Sequence, residues 1–95
     1  MAAILLTRFK VADYDKWRQT FEEHTDLRKR NGCTGTHIFR NANDPTEVVI
    51  NLQWDSEENA QKFLASAEAR AAMQESGMVG APDMVFLEDG GRTAS

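Results

Sequence analysis

The stretch CTGTHIFRNANDPTEVVINLQWDSEE, residues 33–58, decides the fold. Its first part, Cys33 to Asn41, reads as a strand with Thr34, Thr36 and Ile38 on one face and Gly35, His37 and Phe39 on the other. Asn41-Ala42-Asn43-Asp44-Pro45-Thr46 is dense in turn formers, so the chain reverses and the next strand returns antiparallel. That strand, Glu47 to Trp54, carries Val48, Val49, Ile50 and Leu52. Asp55-Ser56-Glu57-Glu58 follows at once. Asp55 is placed to cap a helix, and Glu58 stands where a capping-box partner belongs. A hairpin that runs straight into a helix is the middle of a larger pattern, which the flanking residues complete.

Upstream, Ala3 to Val11 gathers Ile4, Leu5, Leu6 and Phe9 into a strand whose consecutive apolar residues predict cover on both faces. Asp13 offers an N-cap for a helix over 13–31, with Tyr14, Trp17, Phe21, His24 and Leu27 or Arg28 along one side. Arg28-Lys29-Arg30 complements the carbonyl end of that helix and reads as a solvated terminus, and Asn31-Gly32 supplies the stop. Downstream, Ala60, Phe63, Leu64, Ala67, Ala71 and Met73 predict a second helix over 56–76, ending near Gly77. Gly80-Ala81-Pro82 predicts a bend before a short last strand, Met84 to Leu87. The order is β-α-β-β-α-β. It specifies an α+β, ferredoxin-like domain: a four-stranded antiparallel sheet, its first and third strands central, with two helices on one face. Residues 1–89 are expected to form this domain and residues 90–95 a mobile tail.

Helices on one face leave the other bare, yet the strands are apolar on both. Ile4 and Leu6 oppose Ala3, Leu5 and Phe9, and Val49 and Asn51 oppose Val48, Ile50, Leu52 and Trp54. The last strand sets Val85 and Leu87 against Met84 and Phe86. An apolar patch of that extent predicts a homodimer joined through the uncovered sheet face.

Composition narrows the function. With 11 basic against 15 acidic residues the net charge is −4, which argues against a nucleic-acid footprint and against a surface seeking anionic lipid. No segment approaches the ~20 apolar residues of a membrane span, and the opening Met1-Ala2-Ala3-Ile4-Leu5-Leu6 is too short for a signal peptide, so a cytoplasmic protein is expected. Cys33 is the single cysteine and lacks an evident neighbouring base, so it reads as structural. The two histidines lie on different elements without a shared carboxylate, so no metal site is expected. Neither a G-x-G-x-x-G nor a P-loop cradle for a nucleotide cofactor occurs, and none is expected.

Over roughly residues 3–89 the chain resembles the dimeric α/β-barrel superfamily, in particular its antibiotic-biosynthesis-monooxygenase-like members. The most specific part is Leu52-Gln53-Trp54-Asp55-Ser56-Glu57-Glu58-Asn59-Ala60-Gln61-Lys62-Phe63-Leu64-Ala65-Ser66, which is similar to the family's strand end, W-x-S-x-E-like turn and aromatic-Leu-x-Ser helix. The resemblance implies a homodimer built through the sheets and a pocket between sheet and helices in each subunit. It also implies a choice among cofactor-independent monooxygenases, haem degraders, cyclases, lactone isomerases and proteins without established activity. Haem degraders use an Asn of the first strand and a Trp and a His of the second helix. Those positions fall near Thr7 or Arg8, on Phe63 and on Met73, and none carries the corresponding group, which argues against haem degradation.

Among residues able to do chemistry, His24 is either a half-buried core residue or a general base lining the pocket. His37 lies on the Phe39 face of its strand and is the second candidate base, placed either in the pocket or in the dimer interface. Trp17, Phe21, Trp54 and Phe63 are core residues or the aromatic walls of a substrate site, and Asn51 either orients substrate or bonds across the dimer. Arg8, in the most apolar strand, requires a carboxylate partner or a path to water. The expected activity is a cofactor-free monooxygenase acting on a small aromatic or polyketide-like ligand. The alternative is a non-catalytic, ligand-binding or stress-related dimer using the same pocket.

Overall fold

Burial alternates along the first and third strands, and that period of two sets the architecture. The computed structural model describes residues 2–95. Strand β1, Ala3–Val11, turns Leu5, Thr7, Phe9 and Val11 inward, and β3, Asp44–Trp54, does the same with Val48, Ile50, Leu52 and Trp54. With β2 (Cys33–Asn41) and β4 (Met78–Leu87) they form one antiparallel sheet of order β2-β3-β1-β4. The ferredoxin-like arrangement and the central place of β1 and β3 are as the sequence predicts. Trp17 and Trp54, 1% and 0% exposed, anchor the layer between sheet and helices.

Each expected helix is two. The first divides at His24 into α1, Tyr14–Glu23, and α2, Thr25–Arg30. Asp13 caps α1 as expected, accepting from the Lys16 N–H. His24 ends α1, and the Thr25 hydroxyl donates to the Glu22 carbonyl beside the break. The second divides at Ser66 into α3, Glu57–Ala65, and α4, Ala67–Glu75. Ser66 is extended at φ −74°, ψ 150°; its hydroxyl donates to the Phe63 carbonyl and accepts from the Ala69 N–H, so one side chain closes one helix and starts the next. The cap of α3 is Ser56 rather than Asp55. The Ser56 hydroxyl accepts from the Asn59 N–H, while the Asp55 carboxylate accepts from the Asn59 side chain.

Two strands are longer than expected. Asn41 already pairs with Asp44, leaving a turn of Ala42 and Asn43, and the Asn41 and Asp44 side chains accept from the N–H groups of Asn43 and Thr46. Strand β4 begins at Met78 because an irregularity opposite Arg8 and Lys10 absorbs the positive φ of Gly80, and its edge position tolerates Pro82. Residues 88–95 contain neither helix nor strand.

The bare face can be read from the register. Val85, Leu6, Asn51 and His37 share one row across the four strands, and Leu87, Ile4, Gln53 and Gly35 share the next. Phe39 and Val85 are 47% and 49% exposed. Arg8 finds its carboxylate on this face in Glu47, which also accepts from Asn41. No helix of the described residues is long and apolar enough to cross a membrane.

Candidate functional site

The inward rows of β1 and β3 and the inner sides of all four helices enclose a cavity of about 90 Å³. Aromatic and alkyl groups dominate its wall: Phe9, Trp17, Phe21, Ile50, Phe63, Leu64, Met73 and Met78. Trp17 stacks on Phe21 with centroids 5.0 Å apart and packs tilted on Phe9 at 5.3 Å. The α1 periodicity puts Trp17, Phe21 and His24 on one line, and tertiary packing turns that line onto the cavity.

Polar groups in the wall are few. His24 is held by its ring: Nδ1 lies 2.8 Å from the Thr20 carbonyl oxygen, which can only accept. Nδ1 is therefore the donor of this contact. Nε2 stands 3.7 Å from the carboxylate of Glu75, an exposed residue. The Thr7 hydroxyl, 4% exposed, has no hydrogen-bond partner among the described residues. The Ser76 hydroxyl is committed to the Met73 carbonyl.

Arg28 is the main correction to the sequence reading. Instead of ending α2 in water it is 8% exposed and lines the cavity. Its guanidinium lies 3.6 Å above the Phe21 ring and donates to the Phe21 carbonyl and the Thr25 hydroxyl. Burial pulls its pKa below the ordinary arginine value, and the neighbouring Cys33 acts weakly the other way. The available signal was the spacing of four from His24, which left Leu27 and Arg28 equally eligible for the inner side.

Of the residues expected to form a site, the structure brings together His24, Trp17, Phe21 and Phe63. It does not bring Trp54, Asn51 or His37 to the cavity. Trp54 lies beneath Phe63, ring centroids 5.3 Å apart, in the sealed core. Asn51 and His37 face each other across β2 and β3 on the opposite side of the sheet, where His37 stacks on Phe39 at 4.0 Å. Strand alternation forces this, because Ile50 and Leu52 turn inward and everything in register with Asn51 turns out. Of the positions on which the haem degraders' residues fall, Phe63 and Met73 line the cavity, and of the two alternatives for the third, Thr7 lines it and Arg8 does not. Among the described residues no group of three or more His, Cys, Asp or Glu is placed to hold a metal ion.

A four-stranded antiparallel sheet with helices on one face and a cavity between the layers defines the class, and comparisons with known proteins define the family. A profile of the antibiotic biosynthesis monooxygenase family matches residues 3–75, and the chain belongs to that family. SnoaB of Streptomyces nogalater, a cofactor-independent oxygenase, superposes with a TM-score of 0.80 at 11% identity, covering 99% of this chain and 98% of that one. A protein of Bordetella bronchiseptica assigned as an antibiotic biosynthesis monooxygenase superposes at 0.80 with 15% identity, over 93% and 96% of the two chains. Rv0793 of Mycobacterium tuberculosis gives 0.69 at 15% identity over the full length of both. At these identities the likeness is one of fold. No curated protein sequence matches the chain significantly.

Proposed function

We propose that the chain is a cofactor-independent oxygenase of a small aromatic or polyketide-like phenol, with His24 as general base. The observation that supports this reading is His24 in the wall of a largely aromatic and alkyl cavity, its Nδ1 held by the Thr20 carbonyl and its Nε2 beside the Glu75 carboxylate. Trp17, Phe21 and Phe63 would hold the ring, and Nε2 would take the phenolic proton. The resulting phenolate carries carbanion character at ring carbon, which bonds dioxygen to give a hydroperoxide. Loss of water then leaves a quinone, so a phenol with one oxygen molecule becomes a quinone and one water. Family membership and the fold of SnoaB agree with this assignment.

The test is oxygen uptake with simple phenols and hydroquinones by purified protein whose metal and flavin content has been measured. His24→Gln should lower kcat by about 10²–10⁴, the usual contribution of a positioned base. Equal rates in the two proteins would remove His24 from the mechanism.

The functional unit in this reading is a homodimer joined through the bare sheet face, in which Asn51, His37 and Phe39 serve the interface. Exposed Phe39, Val79, Val85 and Leu87 support it, as does the Asn51 Oδ1, which is buried yet unpartnered among the described residues. A lone cysteine suits a reducing cytoplasmic setting. Residues 1–89 form the working domain, and 90–95 are dispensable to it.

A further inference from the structure

Among the described residues Arg28 is the one lysine or arginine that is buried. Arg8, Lys10, Arg18 and Lys62 each pair with a carboxylate, those of Glu47, Asp44, Glu22 and Glu58. Arg28, more buried than any of them, pairs with none among the described residues. Its acceptors are neutral: the Phe21 carbonyl at 2.7 Å and the Thr25 hydroxyl at 3.2 Å. A guanidinium has five N–H donors and stays charged in proteins, so donor capacity remains and the charge is met only by the Phe21 ring face and two neutral acceptors. Taking such a charge out of water is costly unless an anion meets it.

The surroundings say where the anion would come from. Arg28 lines the apolar cavity, and it also lines a second recess with Lys29, Thr25, Thr34 and Thr36. Thr7 contributes a second unsatisfied group to the cavity, a buried hydroxyl without a partner among the described residues. A cation and an uncommitted hydroxyl in a wall dominated by aromatic and alkyl groups are complementary to a ring that carries a negatively charged oxygen. The cavity is half open and holds about 90 Å³, so a single ring suits it better than a fused polycycle.

We propose that Arg28 is the anion-recognising residue of this cavity, selecting a single-ring arene that carries an ionised oxygen, either phenolate or carboxylate. The inference rests on the cavity being the substrate site. It goes beyond the oxygenase reading by naming the charge and size of what enters. In that mechanism Arg28 would stabilise the phenolate left when His24 takes the proton, so the base and the cation divide the work.

Two probes distinguish the two sources of charge. For the carboxylate, calorimetric titration compares benzoate with benzamide, its neutral isostere. For the phenolate, absorbance follows the ionisation of 4-nitrophenol with and without protein. Phenolate recognition lowers the apparent pKa of bound nitrophenol by about one unit, the equivalent of a tenfold preference for the anion. Carboxylate recognition makes benzoate bind about tenfold tighter than benzamide. Either result supports the inference and names the source. Arg28→Gln should abolish the preference while leaving benzamide binding in place, and Arg28→Lys should retain part of it. Should Arg28→Gln fail to fold, Arg28→Lys decides, because an anion preference unchanged from that of the unmodified protein would overturn the assignment. Benzoate and benzamide binding equally, together with an unshifted nitrophenol titration, would overturn it. Oxygen uptake measured in parallel separates the two readings, because anion selectivity without oxygen consumption removes the oxygenase and leaves Arg28 standing.

Discussion

Thr7 and Arg28 show how one side chain can carry information that its neighbours do not. Thr7 sits in a row with Leu5, Phe9 and Val11, where an alkyl group would serve packing better than an unpaired hydroxyl. Removing an unsatisfied buried hydroxyl at nearly constant shape recovers its desolvation penalty. Thr7→Val should therefore stabilise the protein by about 1 kcal/mol, measured as a higher urea midpoint at unchanged slope. A destabilised variant would mean that the hydroxyl is satisfied in the folded state. Phe63 carries a similar lesson. Its ring is half-buried and forms cavity wall, so Phe63→Ala should cost about 1–2 kcal/mol in the same assay, below the ~3–5 typical of a sealed core phenylalanine.

At the scale of elements, the paired breaks in the helices shape the cavity. Each expected helix contributes two shorter segments, and residues of all four line the cavity. The Ser66 hydroxyl maintains one of these breaks by serving both ends at once. Ser66→Ala should cost about 1 kcal/mol as a lost cap, while Ser66→Asp, which can still accept from the Ala69 N–H, should recover much of it. Equal melting temperatures for the Ala variant and the unmodified protein would show that the cap contributes nothing. Gly32 constrains the preceding junction. With φ at +107° and the Asp55 carboxylate 2.5 Å from where a Cβ would stand, the turn into β2 admits no side chain without movement.

The molecule as a whole measures 35 × 34 × 20 Å, thick enough for one sheet and one helical layer and no more. None of the described residues covers the second sheet face. Covering several hundred Å² of it at ~25 cal/mol per Å² contributes several kcal/mol, which matters to a small domain. The proposed dimer makes the two faces of β1 separable by experiment. Leu6 points to the bare face and Leu5, 1% exposed, to the core. Leu6→Glu should yield a folded species sedimenting at 10.7 kDa, while Leu5→Glu should unfold. Unmodified protein sedimenting at 10.7 kDa at micromolar concentration would remove the dimer.

The order of elements, the central position of β1 and β3, the Asp13 cap and the division of β3 into two alternating sets follow from the sequence by itself. Each rests on a local regularity: alternation along a strand, a polar side chain before a helix, turn formers between apolar runs. Tertiary structure alone decided the rest. A helical period continues unchanged across Ser66 and His24, so the residues on either side could not reveal that the chain is bent there. Both faces of β1 and β3 are apolar, and only the helices packing on one of them sent His37 and Asn51 to the other. Arg28 is polar by composition and buried by position. Its charge had to be placed against Phe21, Thr25 and the cavity before it could be read as part of a site, because burial depends on contacts between residues far apart in the chain.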